Sequence, residues 1–206
     1  TIIESITIND GTQLSISPTD NITLQSDATS TARIGQLGDG TIEYNTTGKF
    51  VVERYINTGS VAGTHGKSWQ LLAVPVTTGQ TIKEAWQEGA TVTNVSSPLA
   101  GSPGNPNGGY GTMLTSDIAN AASQPSPGFD AYTPLGPSMK VYNAAANNYD
   151  GVASTQIPLY NPKGYFILVR GDRSVYTYNA TAKATRLRSK GQLFTPAQHP
   201  PSHTVV

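Results

Sequence analysis

Arginine, glycine and aspartate follow one another at Arg170-Gly171-Asp172. On an exposed turn, the guanidinium and carboxylate at the two ends of such a triplet can dock an integrin-type receptor. The same residues also make an ordinary hairpin turn, in which glycine supplies a positive φ and aspartate bonds the turn backbone. The triplet directly follows the apolar run Tyr165–Val169, so we read it as a turn. His199 and His203 are four residues apart, which on a helix would align two imidazoles for a metal. Pro200 and Pro201 between them forbid that helix. His65 sits in Gly63-Thr64-His65-Gly66, with no acid or nucleophile pattern beside it.

The carboxylates are few. Glu84 and Glu88 share one face of a short predicted helix and read as solvating it. Asp117, Asp130, Asp150 and Asp172 fall in or near turns, and none begins a D-x-D-x-D-G calcium loop. A structural calcium held by distant loops stays open; no other cofactor or metal is expected. The sequence has no G-x-S-x-G elbow, H-E-x-x-H, P-loop or dinucleotide fingerprint. An active site would have to gather nearly every titratable group, so the chain reads as non-enzymatic.

Aromatic residues offer a different chemistry, since sugar rings stack on exposed aromatic faces. Tyr110, Tyr132, Tyr149 and Tyr160, with Tyr176 and Tyr178, lie in or beside loops and are the candidate ligand-binding residues. Trp69 and Trp86 read as core.

The elements that must position these residues are short strands. The composition is rich in Thr, Ser, Asn, Gly and Pro, which suits half-exposed strands joined by frequent turns. Residues 1–45 carry apolar-x-apolar pairs at Ile6/Ile8, Leu14/Ile16, Ile22/Leu24, Ala32/Ile34 and Ile42/Tyr44, with turn residues between them. This spacing fits a β-meander or the rungs of a β-solenoid. Lys49–Ile56 and Ser68–Val76 form the strongest strand pair. The second run is apolar on both faces and therefore reads as central, with Pro75 near its end. Thr81 and Glu84 make a capping box ahead of a short helix carrying Ile82, Ala85 and Trp86 on one face, and Gly89 is a plausible stop. Residues 96–128 are loop-dominated, with Tyr110–Thr115 as a strand between loops. Further strands are expected at 138–143, 164–170, 174–178, 185–189 and 192–195.

The expected fold is thus all-β: an antiparallel, jelly-roll-like β-sandwich over residues 46–195 with one short helix. A strand-rich, solenoid-like segment precedes it at 1–45, and a Pro-rich linker or tail follows at 196–206. The formal net charge is zero and only 13% of residues are charged, which removes the electrostatic case for nucleic acid or an anionic membrane. No apolar run is long enough to insert in a membrane. The apolar strand with Ile2, Ile6 and Ile8 opens the sequence and is the candidate assembly strand, able to pair with a neighbour's sheet edge.

Several motifs recur together: Phe50–Ile56, Ser68–Val76, Thr81-Ile82 with Ala85-Trp86-Gln87, Gly109–Thr112, Gly128-Phe129-Asp130, Gly164–Arg173 and Thr185–Gly191. In this order they resemble a module of very large secreted surface proteins of Bacteroidetes-type bacteria, adhesin-like cargo of type IX secretion. The resemblance implies export and display at the cell surface, with no catalytic residue to carry over. The expected function is therefore a structural or adhesin module cut from a larger protein, or an assembling filament or surface-layer subunit. Its partners would be other modules of that protein, copies of itself or surface glycans. The alternative is a carbohydrate-binding module of a secreted polysaccharide-degrading enzyme.

Overall fold

The structure, a computed structural model, describes residues 5–35, 37–60, 62–77, 79–89, 108–116, 128–130, 136–159, 163–175 and 181–194. Six strands occupy the first quarter of the chain: β1 (Ser5–Ile6), β2 (Gln13–Ile16), β3 (Asn21–Leu24), β4 (Arg33–Ile34), β5 (Thr41–Tyr44) and β6 (Lys49–Ile56). They pair in parallel, β1 with β4, β2 with β5 and β3 with β6. Ser5 faces Arg33, Gln13 faces Thr41 and Asn21 faces Lys49, an offset of 28 residues each time. The segment is therefore two coils of a three-sided β-solenoid, which resolves the meander-or-rung choice in favour of rungs.

Stacking is the physical reason for this arrangement. Ile6 lies on Ile34, Leu14 on Ile42, Ile16 on Tyr44, Ile22 on Phe50 and Leu24 on Val52. Each apolar side chain thus covers another, which no single rung could achieve. Corners stack as well: the Asp10 carboxylate accepts the Asp39 amide at 2.9 Å. A Cβ on Gly48 would lie 2.6 Å from the Ile16 carbonyl, so glycine is what lets the coils approach there.

Strand β6 outlasts the solenoid. It pairs in parallel with β3 on one side and antiparallel with β12 (Thr185–Leu193) on the other. With β8 (Val76–Thr77) these make a four-stranded sheet in the order β3-β6-β12-β8. The second sheet has the order β10-β9-β11-β7, from β7 (Ser68–Ala73), β9 (Met139–Asn143), β10 (Asn148–Gly151) and β11 (Gly164–Val169). Phe50, Ile56, Leu187 and Leu193 of the first sheet join Met139, Tyr165, Ile167 and Val169 of the second in one buried core. The all-β sandwich holds, with a parallel pair wherever the solenoid feeds it.

Helix α1 (Ile82–Trp86) has the expected capping box: the Glu84 amide donates to Thr81 Oγ1 and the Thr81 amide to Glu84 Oε2. Trp86 is buried and meets the Tyr165 ring edge-on, with centroids 5.5 Å apart.

Three expectations fail. Among the described residues, strand β7 is not central but an edge of its sheet. Its second apolar face points outward, so Trp69 pairs with Leu168 on that outer face and does not join the core. Tyr110–Thr115 is not a strand. Gly111 has φ of 64°, and the amides along the segment find unrelated partners: Arg186 O for Gly111, Trp86 O for Thr112 and the Ser138 hydroxyl for Thr115. The segments at 185–189 and 192–195 are not two strands, because β12 runs unbroken through Gly191 to Leu193. Among the described residues, no helix is long and apolar enough to cross a membrane.

Candidate functional site

The Arg170-Gly171-Asp172 triplet lies under the surface. Arg170 is 3% exposed and Asp172 6%, so neither end of the motif is presented to a receptor. Arg170 donates to the Met113 carbonyl and the Thr115 hydroxyl. Burial lowers its pKa to about 10, against the opposing pull of Asp130. Asp172 accepts the Ser174 amide at 3.0 Å and the Gly109 amide at 2.8 Å, and Gly171 has φ of 125°. This is the turn chemistry expected from the sequence.

Beside the triplet, Arg173 and Asp130 form a bidentate pair at 2.7 and 2.8 Å, both side chains fully buried. Asp130 also accepts the Leu114 amide at 2.8 Å and the Gln87 side-chain amide at 3.1 Å. Through these bonds Asp130 ties four chain segments together. Its role was invisible from the sequence, where it stands in a Gly-Phe-Asp turn. The pairing spans 43 positions.

Tyr110 is half-buried, and arginines cover its ring. The Arg188 guanidinium sits 4.1 Å from the ring centroid and that of Arg186 5.6 Å. Arg186 also lies over Tyr55 and ion-pairs Glu53 at 3.6 Å. Arg188 is held by Glu88, whose hydrogen bond is the main cause of its raised pKa. Cation–π contacts of this kind are worth about 0.5–1 kcal/mol at exposed sites. They engage the Tyr110 face that a sugar would need.

The outer face of the β10-β9-β11-β7 sheet is the most unusual surface. Tyr142 and Tyr149, directly opposed across the β9–β10 hairpin, have centroids 5.4 Å apart. Tyr149 then meets Phe166 at 5.3 Å, and Phe166 stacks on Trp69 at 4.6 Å with planes 22° apart. Lys140 Nζ lies 5.2 Å from the Trp69 ring. Four rings from four strands thus form one row. Leu71 is 70% exposed, Tyr142 54% and Tyr149 47%, so this face carries three of the largest exposed apolar side chains. Tyr149 was among the sequence candidates. Tyr142, Phe166 and Trp69 were not, although Phe166 stands between the core residues Tyr165 and Ile167, a signal present in the sequence.

The other titratable groups are dispersed. His65 Nδ1 contacts the Ser68 hydroxyl at 3.1 Å, and Asp150 accepts from Asn143 at 2.6 Å. Glu53 accepts the Ser26 amide. Among the described residues, no three His, Asp or Glu side chains come together as a metal site would require. Of the candidate assembly strand, Ile6 pairs in β1 with Ile34 and Ile8 is 6% exposed within the core, so both are already engaged in the first coil. Ile2, Tyr132, Tyr160, Tyr176, Tyr178, Asp117, His199 and His203 lie outside the described residues, as do the tail at 196–206 and most of the 96–128 loop. No known protein family matches this chain, and neither does any curated protein or solved structure.

Proposed function

We propose that this chain is a non-enzymatic structural module of a larger extracellular, adhesin-type surface protein, in which a β-sandwich closes one end of a β-solenoid. The observation that carries this reading is the course of β6. Its amides and carbonyls complete the third face of the second coil, and its other edge pairs with β12 along seven residue pairs. A solenoid end left open exposes strand edges and an apolar interior, and natural solenoids therefore carry caps. Here the sandwich is that cap. A solenoid rises by about 4.8 Å per coil, so such a stalk sets the distance at which loops are displayed. The dispersal of titratable groups among the described residues suits a mechanical role, and the resemblance to secreted surface modules supports the extracellular placement. Antibodies against the purified chain should label intact producing cells, with the label removed by external protease. Labelling only after lysis would overturn the reading.

The aromatic row favours carbohydrate binding as the second reading. Sugar platforms need ring faces turned to solvent, whereas the inner rings of this row spend their faces on one another. Among the described residues, Tyr142 and Tyr149 are the two ring positions with the greatest exposure. A Tyr142→Ala/Tyr149→Ala variant should lose about fivefold to 150-fold in any glycan affinity, since stacking contacts are worth about 0.5–1.5 kcal/mol each. A wild-type chain silent on a broad glycan array removes this reading.

A further inference from the structure

The strand Ser68-Trp69-Gln70-Leu71-Leu72-Ala73 closes one side of its sheet and, among the described residues, pairs only with β11. Proteins normally protect such an edge with charge, proline, a bulge or brevity. None of these is present within β7, which has six residues, no charge and no proline. Two other sheet edges are guarded. β8 has two residues; β10 is a four-residue hairpin arm carrying Asp150 and Gly151. The first coil carries Asp10, Asp20 and Asp27, with no Lys or Arg between residues 5 and 32.

The surface around β7 matches itself. Leu71 is the most exposed large apolar side chain among the described residues, and Trp69 and Phe166 continue the apolar face behind it. A cleft of about 350 Å³ opens beside the strand, lined by Leu71, Leu72, Val52 and Trp86, together with one acid and one base, Glu53 and Arg54. Residues opposed across antiparallel strands share a face. A two-fold axis through Leu71 would therefore set Leu71 against its own counterpart, Trp69 against Ala73, and Gln70 against Leu72. Large meets small, and no charge faces another charge.

We propose that the β7 edge is a self-association surface, through which a second copy of this chain pairs β7 with β7 in antiparallel register and extends the sheet from four strands to eight. This pairing is distinct from the solenoid-cap role and survives if that role is wrong. It gives the exposed Leu71 an apolar neighbour that the single chain does not supply. Isologous two-fold contacts are the commonest way for identical chains to associate.

The chain has no cysteine, which permits a direct test. Sedimentation of the full chain should show a monomer–dimer equilibrium. Leu71→Arg should weaken it at least tenfold while leaving the circular dichroism spectrum unchanged, and the melting curve too at concentrations where the wild type is monomeric, because the replaced side chain is exposed in the single chain. Under mild oxidation Leu71→Cys should form a disulfide dimer, whereas Ile157→Cys, exposed elsewhere, and Ser5→Cys, on the solenoid edge, should not. A wild-type chain that stays monomeric at its solubility limit would overturn the proposal. So would a dimer that resists Leu71→Arg and cross-links through Ser5→Cys.

Discussion

An Asp130→Ala variant is expected to lose about 3–5 kcal/mol of folding stability, the cost of leaving one charge of a buried pair without its partner. The Arg173 guanidinium is 1% exposed and bonds Asp130 through both terminal nitrogens. Without the carboxylate, that charge stays in the interior with, among the described residues, the Thr112 carbonyl as its acceptor. The Leu114 amide and the Gln87 side chain lose an acceptor at the same time. Urea denaturation of wild type and variant measures the loss. Arg173→Leu should fall in the same range. The double variant should recover part of the deficit, because replacing a whole buried pair by apolar groups costs much less than halving it. Strict additivity of the two single losses would mean that the residues do not act as a pair.

The second large effect is expected at Phe50. Its side chain is fully buried, between Ile22 of the solenoid and Gly191 of the sandwich on the flanking strands. The Tyr44 ring meets it edge-on at 6.2 Å, and the Tyr44 hydroxyl accepts the Leu193 amide at 2.8 Å. Phe50→Ala should therefore cost about 3–5 kcal/mol, the usual penalty for a buried phenylalanine truncated to alanine. Because the cavity opens at the joint, amide exchange should accelerate in β3 and in β12 together. Acceleration confined to β3 would show that the solenoid and the sandwich unfold independently, and would weaken the case for a cap. Ile16→Ala is the informative comparison: it also removes a buried side chain, but one whose partner strand, β5, lies within the solenoid.

How much of this was legible in advance depended on range. The capping box of α1 needs only Thr81 and Glu84, three residues apart, and it was read correctly. Apolar alternation located β2, β3, β5, β6, β9 and β11, because a strand's two faces are written at a period of two. The same alternation left the partner of each strand undetermined. A 28-residue offset repeated only twice leaves no statistical trace in the sequence, and side chains such as Ile16 and Tyr44 satisfy the pattern without being alike.

Short-range chemistry, then, was set by the sequence alone: all-β character, frequent turns, the capped helix, and the turn at Arg170-Gly171-Asp172. Burial was decided by the tertiary structure, because it depends on what folds over a residue and not on its neighbours in the chain. Apolarity on both faces of β7 implied a central strand, yet the strand lies at an edge with Leu71 in solvent. The tyrosine chosen for its loop position, Tyr110, is covered by arginines from β12. Asp130, which looked like one more turn residue, holds the deepest charge pair described. Each reversal has the same cause: residues distant along the chain determine whether a side chain meets water, an ion partner or another ring.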